Sequence, residues 1–527
     1  MEVPGQFAGE SKDTAAGAFE LQQDSKFRVE ENTKQSIHHP QTGHPEAGHR
    51  QAGNRSWKIR RGVGLVALAV VAGCGNMYRP VVNPVRPTGP SPAPSAYVTA
   101  ITQPTGVATG IATVIDFSGD TVLAQATVGN FPLDYAVDSP GATAYTIDRD
   151  GSLSVIPITS SLQTKNVGTS TLNATAVPIN AMVGNGNLYV MDASVNQIDV
   201  LTGSPPGLKQ SLQFPSGLLN LVGRSASTRF YAISQQVGTP GTASPCATPS
   251  TVTTTGVASA LEASTFSISA TLPVGKCPVY GLQSADGLRT FILNRGSGTV
   301  TVIDSQKNVL DAQVNPTTGL PNSTLTLPAG PVYAELYDTT SQLVTANYDS
   351  NTISVIDVTT DAFDNDAPTF GTIHNVAVGS GPTSVTILQD GTRAYVANSK
   401  DSTISIVNLS SYTVEKVITL PLNPDLSTPH PRMVTSTYNY PAGKVYVTSQ
   451  DSSNLVILRT DTDTVDAVLQ LQGNLIDTRV SRQNAGATSQ IDNNSYSPGN
   501  GVPCTPGTVP TQLSTNPTAC QLEGVSP

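Results

Sequence analysis

The chain has 527 residues, with 28 Lys and Arg against 38 Asp and Glu, a formal net charge of −10. The first 74 residues hold 9 basic and 8 acidic side chains, so the rest of the chain carries −11, and an acidic body argues against a nucleic-acid partner. Charged residues make up only 13% beside 45 Gly and 39 Pro, a turn-rich, weakly charged composition that fits an exported all-β protein better than a helical cytosolic enzyme.

Residues 1–57 are hydrophilic and rich in Gln, His and Gly; they read as a disordered leader, or as an over-long gene reading whose true start lies nearer Trp57. This segment holds four of the six histidines (His38, His39, His44, His49) and the only tryptophan, Trp57. Residues 58–74 read as an export signal: a basic Lys58-Ile-Arg-Arg61, an apolar Gly62 to Gly73, and Val71-Ala-Gly-Cys74. The apolar stretch is short of the ~20 residues that a membrane span needs. Its ending resembles the lipobox of bacterial lipoproteins. That resemblance implies that the Cys74 thiol is lipidated and becomes the new N-terminus, anchoring the protein at the cell envelope. An ordinary signal peptide with an incidental cysteine is the alternative. Residues 75–95 are proline-rich and read as an extended, semi-rigid tether.

From residue 96 to 482 one unit recurs. Asn294-Arg-Gly-Ser-Gly-Thr-Val-Thr-Val-Ile-Asp304, Tyr348-Asp-Ser-Asn-Thr-Ile-Ser-Val-Ile-Asp357 and Asn398-Ser-Lys-Asp-Ser-Thr-Ile-Ser-Ile-Val-Asn408 are each a polar turn followed by an alternating β-branched strand. Fixed-period recurrence means one supersecondary unit used many times, and four strands in roughly 40–50 residues is the blade of a β-propeller. The second-strand position can be followed as Ala96-Tyr-Val-Thr, Ala144-Tyr-Thr-Ile, Leu188-Tyr-Val-Met, Phe230-Tyr-Ala-Ile, Phe291-Ile-Leu-Asn, Leu343-Val-Thr-Ala-Asn, Ala394-Tyr-Val-Ala-Asn and Val445-Tyr-Val-Thr. This predicts an all-β ring of four-stranded antiparallel blades, eight by count. The first unit lacks an innermost strand, and Leu475-Ile-Asp-Thr-Arg-Val480 is expected to supply it, joining both chain ends in one blade.

These motifs, with the closures Val128-Gly129, Val274-Gly275 and Val378-Gly379, resemble the YVTN-repeat, or YncE-like, β-propeller family over about residues 96–480. Seven is the commoner blade number there, so seven stands as the alternative count. Two excursions depart from the repeat. One lies between Gln236 and Gly256 and carries Cys246; the other runs between Val358 and Thr372. Residues 483–527 read as a flexible tail with a small cysteine loop.

With Cys74 set aside, Cys246, Cys277, Cys504 and Cys520 remain, an even number that suggests two bridges in an oxidising compartment. Sequence neighbours pair most simply, Cys246 with Cys277 and Cys504 with Cys520; zinc is the rival reading, weakened by the lack of Cys-x-x-Cys spacing. Asp361, Asp364 and Asp366 are weak candidates for a hard cation, with a solvated acidic turn as the plainer account. His374 and His430 neighbour no nucleophile motif and read as structural or surface residues. Tyr438-Asn-Tyr440 is a candidate binding patch on a loop. The functional expectation is a monomeric, lipid-anchored propeller without cofactor that binds an envelope protein or polymer. A propeller lactonase or related hydrolase with its site at the channel mouth is the alternative.

Overall fold

The computed structural model describes residues 97–480, apart from 118, 138–142, 159–167, 173–177, 193–194, 225, 237–245, 247–248, 389 and 437–442. The described residues form eight antiparallel sheets. Alternation of β-branched and polar residues gives each strand its pleat, and Asn, Asp, Ser or Gly at positive φ closes the turns between strands. The innermost strands are Asn474–Val480 in blade 1, then Pro132–Val137, Pro178–Gly184, Leu218–Val222, Pro278–Gln283, Pro331–Tyr337, Pro382–Ile387 and Pro431–Ser436 in blades 2 to 8. The protein is an eight-bladed β-propeller. Blade 5 carries a fifth strand, because Val309–Leu310 and Thr324–Thr326 both pair with Thr299–Asp304.

The ring closes as expected. Asn474–Val480 pairs antiparallel with Tyr97–Gln103, so the last described strand is the innermost strand of blade 1. Its Leu475 is fully buried between blades, which is worth roughly 1.5–3 kcal/mol of apolar transfer. The first repeat differs from the sequence alignment by two residues. Tyr97 lies opposite Asp116, the place that Arg393 takes opposite Asn408, so Thr99 and Thr102 occupy the repeat's Tyr and Asn positions. A shift of two preserves which face each side chain meets, so the apolar pattern could not reveal it.

The repeat's asparagine is a pin. Asn294 Nδ2 donates to Thr299 Oγ1 and Thr301 Oγ1, Asn347 Nδ2 to Thr352 Oγ1 and Ser354 Oγ, and Asn398 Nδ2 to Thr403 Oγ1 and Ser405 Oγ, all at 2.8–3.1 Å. Each ties the end of the second strand to the start of the third. The closing glycine of the preceding blade rests on this pin: a Cβ added to Gly275 or Gly379 would come within 2.6 Å of the Asn294 or Asn398 amide carbon. The Val-Gly motif therefore marks where one blade packs on the next.

Tyrosines of the second strands clasp the following blade. Tyr231 Oη donates to Asn308 Oδ1 at 3.2 Å, Tyr446 Oη to Asp120 Oδ1 at 3.3 Å, and Tyr395 Oη to Asp463. Each acceptor sits at a left-handed turn position. Lys444 Nζ adds a 2.6 Å pair with Asp120, so blade 8 is clasped to blade 1 beyond the shared sheet.

Candidate functional site

The innermost strands present free edges to the ring axis, and their N–H groups need acceptors. The register puts one residue of each blade in a common layer: Asp477, Asp134, Asn180, Asn220, Tyr280, Tyr333, Ser384 and Met433 in blades 1 to 8. Seven of the eight are polar and all are buried. Three of them reach the next blade around the ring. The Ala181 N–H donates to Asp134 Oδ2 at 3.0 Å, Asn180 Nδ2 to Asn220 Oδ1 at 3.1 Å, and the Val434 N–H to Ser384 Oγ at 3.1 Å. In the layer beneath, the Ile387 N–H donates to Glu335 Oε1 at 2.9 Å.

Charge on the axis is balanced locally. Arg479 Nε donates to Asp477 Oδ2 at 2.9 Å, and both residues are almost wholly buried. Burial raises the Asp477 carboxyl, with Arg479 opposing it. Burial pushes Asp134 up to about 7, with the Ala181 N–H pulling the other way and the Asp477 charge adding to the rise. No group of three or more His, Cys, Asp or Glu side chains suited to a metal occurs among the described residues. Asp134, Asn180 and Ser384 act as inter-blade ties on the axis.

The end of the ring where inner strands begin and second strands finish holds two further groups, one built on the buried Tyr348 and Arg295 and one on a part-exposed histidine. Tyr348 lies between two cations, with Arg295 5.5 Å and Lys400 4.4 Å from its ring centre. Arg295 Nε and Nη2 each donate to Asp349 at 3.1 Å, which fixes the guanidinium. On blade 8, His430 Nδ1 lies 2.6 Å from Asp451 Oδ2, and the His430 N–H donates to Asp451 Oδ1 at 3.0 Å. The His430 side chain is 31% exposed. A carboxylate on one ring nitrogen orients an imidazole and fixes its tautomer. Sequence reasoning missed this pair. The two residues are 21 apart in the chain and meet only because the inner strand's start folds beside the turn after the second strand; the repeat alignment of Asp451 with Lys400 was the available signal.

Comparison with known proteins adds the fold. No family model matches the chain, and no curated protein matches it. Solved structures similar to it include dihydro-heme d1 dehydrogenase NirN in complex with DHE, at 14% identity over 77% of this chain and 78% of that one, with a TM-score of 0.50. AztD of Citrobacter koseri is 14% identical over 73% of this chain and 97% of its own, with a TM-score of 0.48. At these identities the likeness is one of fold.

Two of the three carboxylates of the acidic excursion are taken up by an arginine, while Asp361 lies in an exposed turn. Asp364 and Asp366 reach back to blade 5, where Arg289 Nη1 pairs with Asp364 Oδ1 at 2.6 Å, Nη2 with Asp366 Oδ1 at 3.1 Å, and Nε with Asp311 Oδ2 at 3.1 Å. The guanidinium, 2% exposed, fills the place a cation would take. Asp361 instead caps the loop tip, accepting from the N–H groups of Phe363 and Asn365. Those bonds, the Asn365 side chain first, hold its carboxyl below the usual range.

Cys246 and Cys277 are drawn into one buried cluster. The insertion around Cys246 is tied by Gln235, whose Oε1 accepts from the Cys277 N–H at 2.5 Å and whose Nε2 donates to Thr254 O at 2.8 Å. His374 is on an outer strand, its ring stacked 3.9 Å from that of Tyr412 on the next blade. Cys74, Cys504, Cys520 and Tyr438 to Tyr440 lie outside the described residues.

Proposed function

We propose that the protein is an exported, lipid-anchored propeller of YVTN-repeat kind that works as a binding scaffold at the cell envelope. One observation carries this reading. Asp134, Asn180, Glu335 and Ser384 on the inner strands join neighbouring blades, which supports a rigid body whose loop-bearing faces are able to meet a partner. On one such face the exposed Lys400 lies over the buried Tyr348 ring, which supports a positioned cation that a partner can meet. Affinity capture from a solubilised envelope fraction tests it. A single protein or polymer retained by the wild type and lost from a Lys400→Glu variant supports the scaffold; identical retention by both removes this face.

A hydrolase with its site at the channel mouth is the second reading, favoured by the His430–Asp451 pair. Its oriented imidazole has the geometry of a general base. Turnover of lactone or ester substrates that falls at least 100-fold in His430→Ala supports it. Turnover unchanged in that variant ends it.

A further inference from the structure

The eight innermost strands hold a short list of side chains that carry charge in neutral water. Asp134, Glu335 and Asp477 are the acids and Arg432 and Arg479 the bases; these strands contain no Lys or His. All five are buried, none more than 6% exposed. The axis therefore sets three carboxylates against two guanidiniums, one negative charge in excess. An uncompensated carboxylate is costly away from water, so a proton or a bound cation has to balance it.

The structure picks out Asp134 as the acid that keeps the proton. Asp477 has Arg479 Nε on its Oδ2, whereas Asp134 has no ion pair among the described residues. Asp134 Oδ2 accepts from the Ala181 N–H, and its Oδ1 has no partner among the described residues. The oxygens of Asp134 thus leave little room for a cation, since Oδ1 is sealed from solvent. The strands packed on Pro132–Val137 bring one base. Asn474–Val480 brings Asp477 and Arg479, which are engaged with each other. Pro178–Gly184 has no ionisable side chain, and Tyr97–Gln103 has only Tyr97. Thr143–Asp148 has Tyr145 and Asp148, the latter taken up by three hydroxyls, and Tyr135 is the other ionisable group on the Asp134 strand. The value of about 7 to which burial pushes Asp134 agrees with this choice.

The element that feels this proton is the closing strand. In blades 2 to 8 the inner strand runs on in the chain to the second strand of its own blade. Asn474–Val480 has no such connection to blade 1 and is held there by its pairing with Tyr97–Gln103. It is the inner strand that can leave its sheet with least disturbance to the rest. It also carries Asp477, which shares a layer with Asp134 of the neighbouring blade. We infer that Asp134 and Asp477 form a proton-controlled latch on the ring's closure: with one proton between them the closing strand is held, and release of that proton to water sets two like charges in one layer and loosens Asn474–Val480. The sign follows from a raised acid. The stability that the retained proton supplies is fully present below the ordinary value of 3.8 and is gone once pH has risen through about 7.

The test uses the full chain and backbone hydrogen exchange corrected for the intrinsic pH dependence of exchange. Between pH 5.5 and pH 8.5 the wild-type amides of Asn474–Val480 are expected to lose about tenfold or more in protection relative to those of Pro382–Ile387, an inner strand without ionisable side chains. Asp134→Asn keeps an acceptor for the Ala181 N–H and cannot ionise, so its protection ratio should be the same at both pH values. The infrared difference between wild type and Asp134→Asn should contain one protonated carboxyl at pH 5.5 and none at pH 8.5. If Asp134→Asn does not fold, Asp148→Asn serves as the control: it removes the other acid pushed up to about 7 and should leave the exchange change at Asn474–Val480 intact. An unchanged ratio in the wild type, an equal change in Asp134→Asn, or loss of the change in Asp148→Asn overturns the inference. So does a difference spectrum without a protonated carboxyl at pH 5.5, which would show that a bound cation balances the axis.

Discussion

Asp148 shows how a single repeat position carries an energetic consequence. It stands where sister blades have the asparagine pin, and it accepts from Thr146 Oγ1, Ser152 Oγ and Ser154 Oγ at 2.8–3.1 Å. Burial pushes its carboxyl up to about 7 from 3.8, with those hydroxyls opposing. A raised acid stabilises the fold below its ordinary value and loses that contribution as pH climbs through the native one. The wild type is therefore expected to lose stability between about pH 4 and pH 7. Asp148→Asn should flatten its share of that slope, ~1 kcal/mol per pH unit. Denaturant midpoints of the two proteins at pH 4, 5.5 and 7 check this, and parallel curves would refute it. Arg289 makes the second residue-level case. Arg289→Met leaves three carboxylates without their counter-charge and should cost about 3–5 kcal/mol. Excess calcium should leave the wild-type midpoint where it is, since the guanidinium already fills the site. The identity of Asp364 and Asp366 as partners of Arg289 was not legible in the chain, because the contact spans 75 to 77 residues. Asp148, by contrast, sits in a visible repeat.

At the scale of elements, the four-strand order inside each blade was readable because strand, tight turn and strand are local. The closing strand was readable for a different reason: a unit missing its first strand and a surplus strand at the far end imply each other. The eight sheets bear that out. Ending the chain at Gly473 should remove the inner strand of blade 1, expose Val98 and Ala100 and open the ring. A cooperative melt retained by that truncation would contradict the role given to this strand. Lys444→Met removes the clasp from blade 8 to Asp120, together with the cation held over the Phe117 ring, and should cost about 3–5 kcal/mol. The clasps themselves escaped sequence reading. Acceptors such as Asp120 and Asp463 look like ordinary turn residues until the next blade is set against them.

For the whole molecule, the proposed anchor has a direct check. Cys74→Ser should move the protein from membranes to the soluble fraction, and unchanged membrane retention would remove the lipid-anchor proposal. Cleavage ahead of Cys74 also removes Trp57, so the mature protein should emit as tyrosine; a tryptophan spectrum would show the leader kept. The periodic sequence by itself determined the repeat, its strand order and the closure, because those depend on local alternation, turn chemistry and the need to cover apolar blade faces. Only the tertiary structure decided which polar groups are consumed on the axis, which histidine gains a carboxylate and which carboxylates surround an arginine. Those pairings join different blades or distant turns, and their partners are chosen by the ring's geometry rather than by neighbours in the chain.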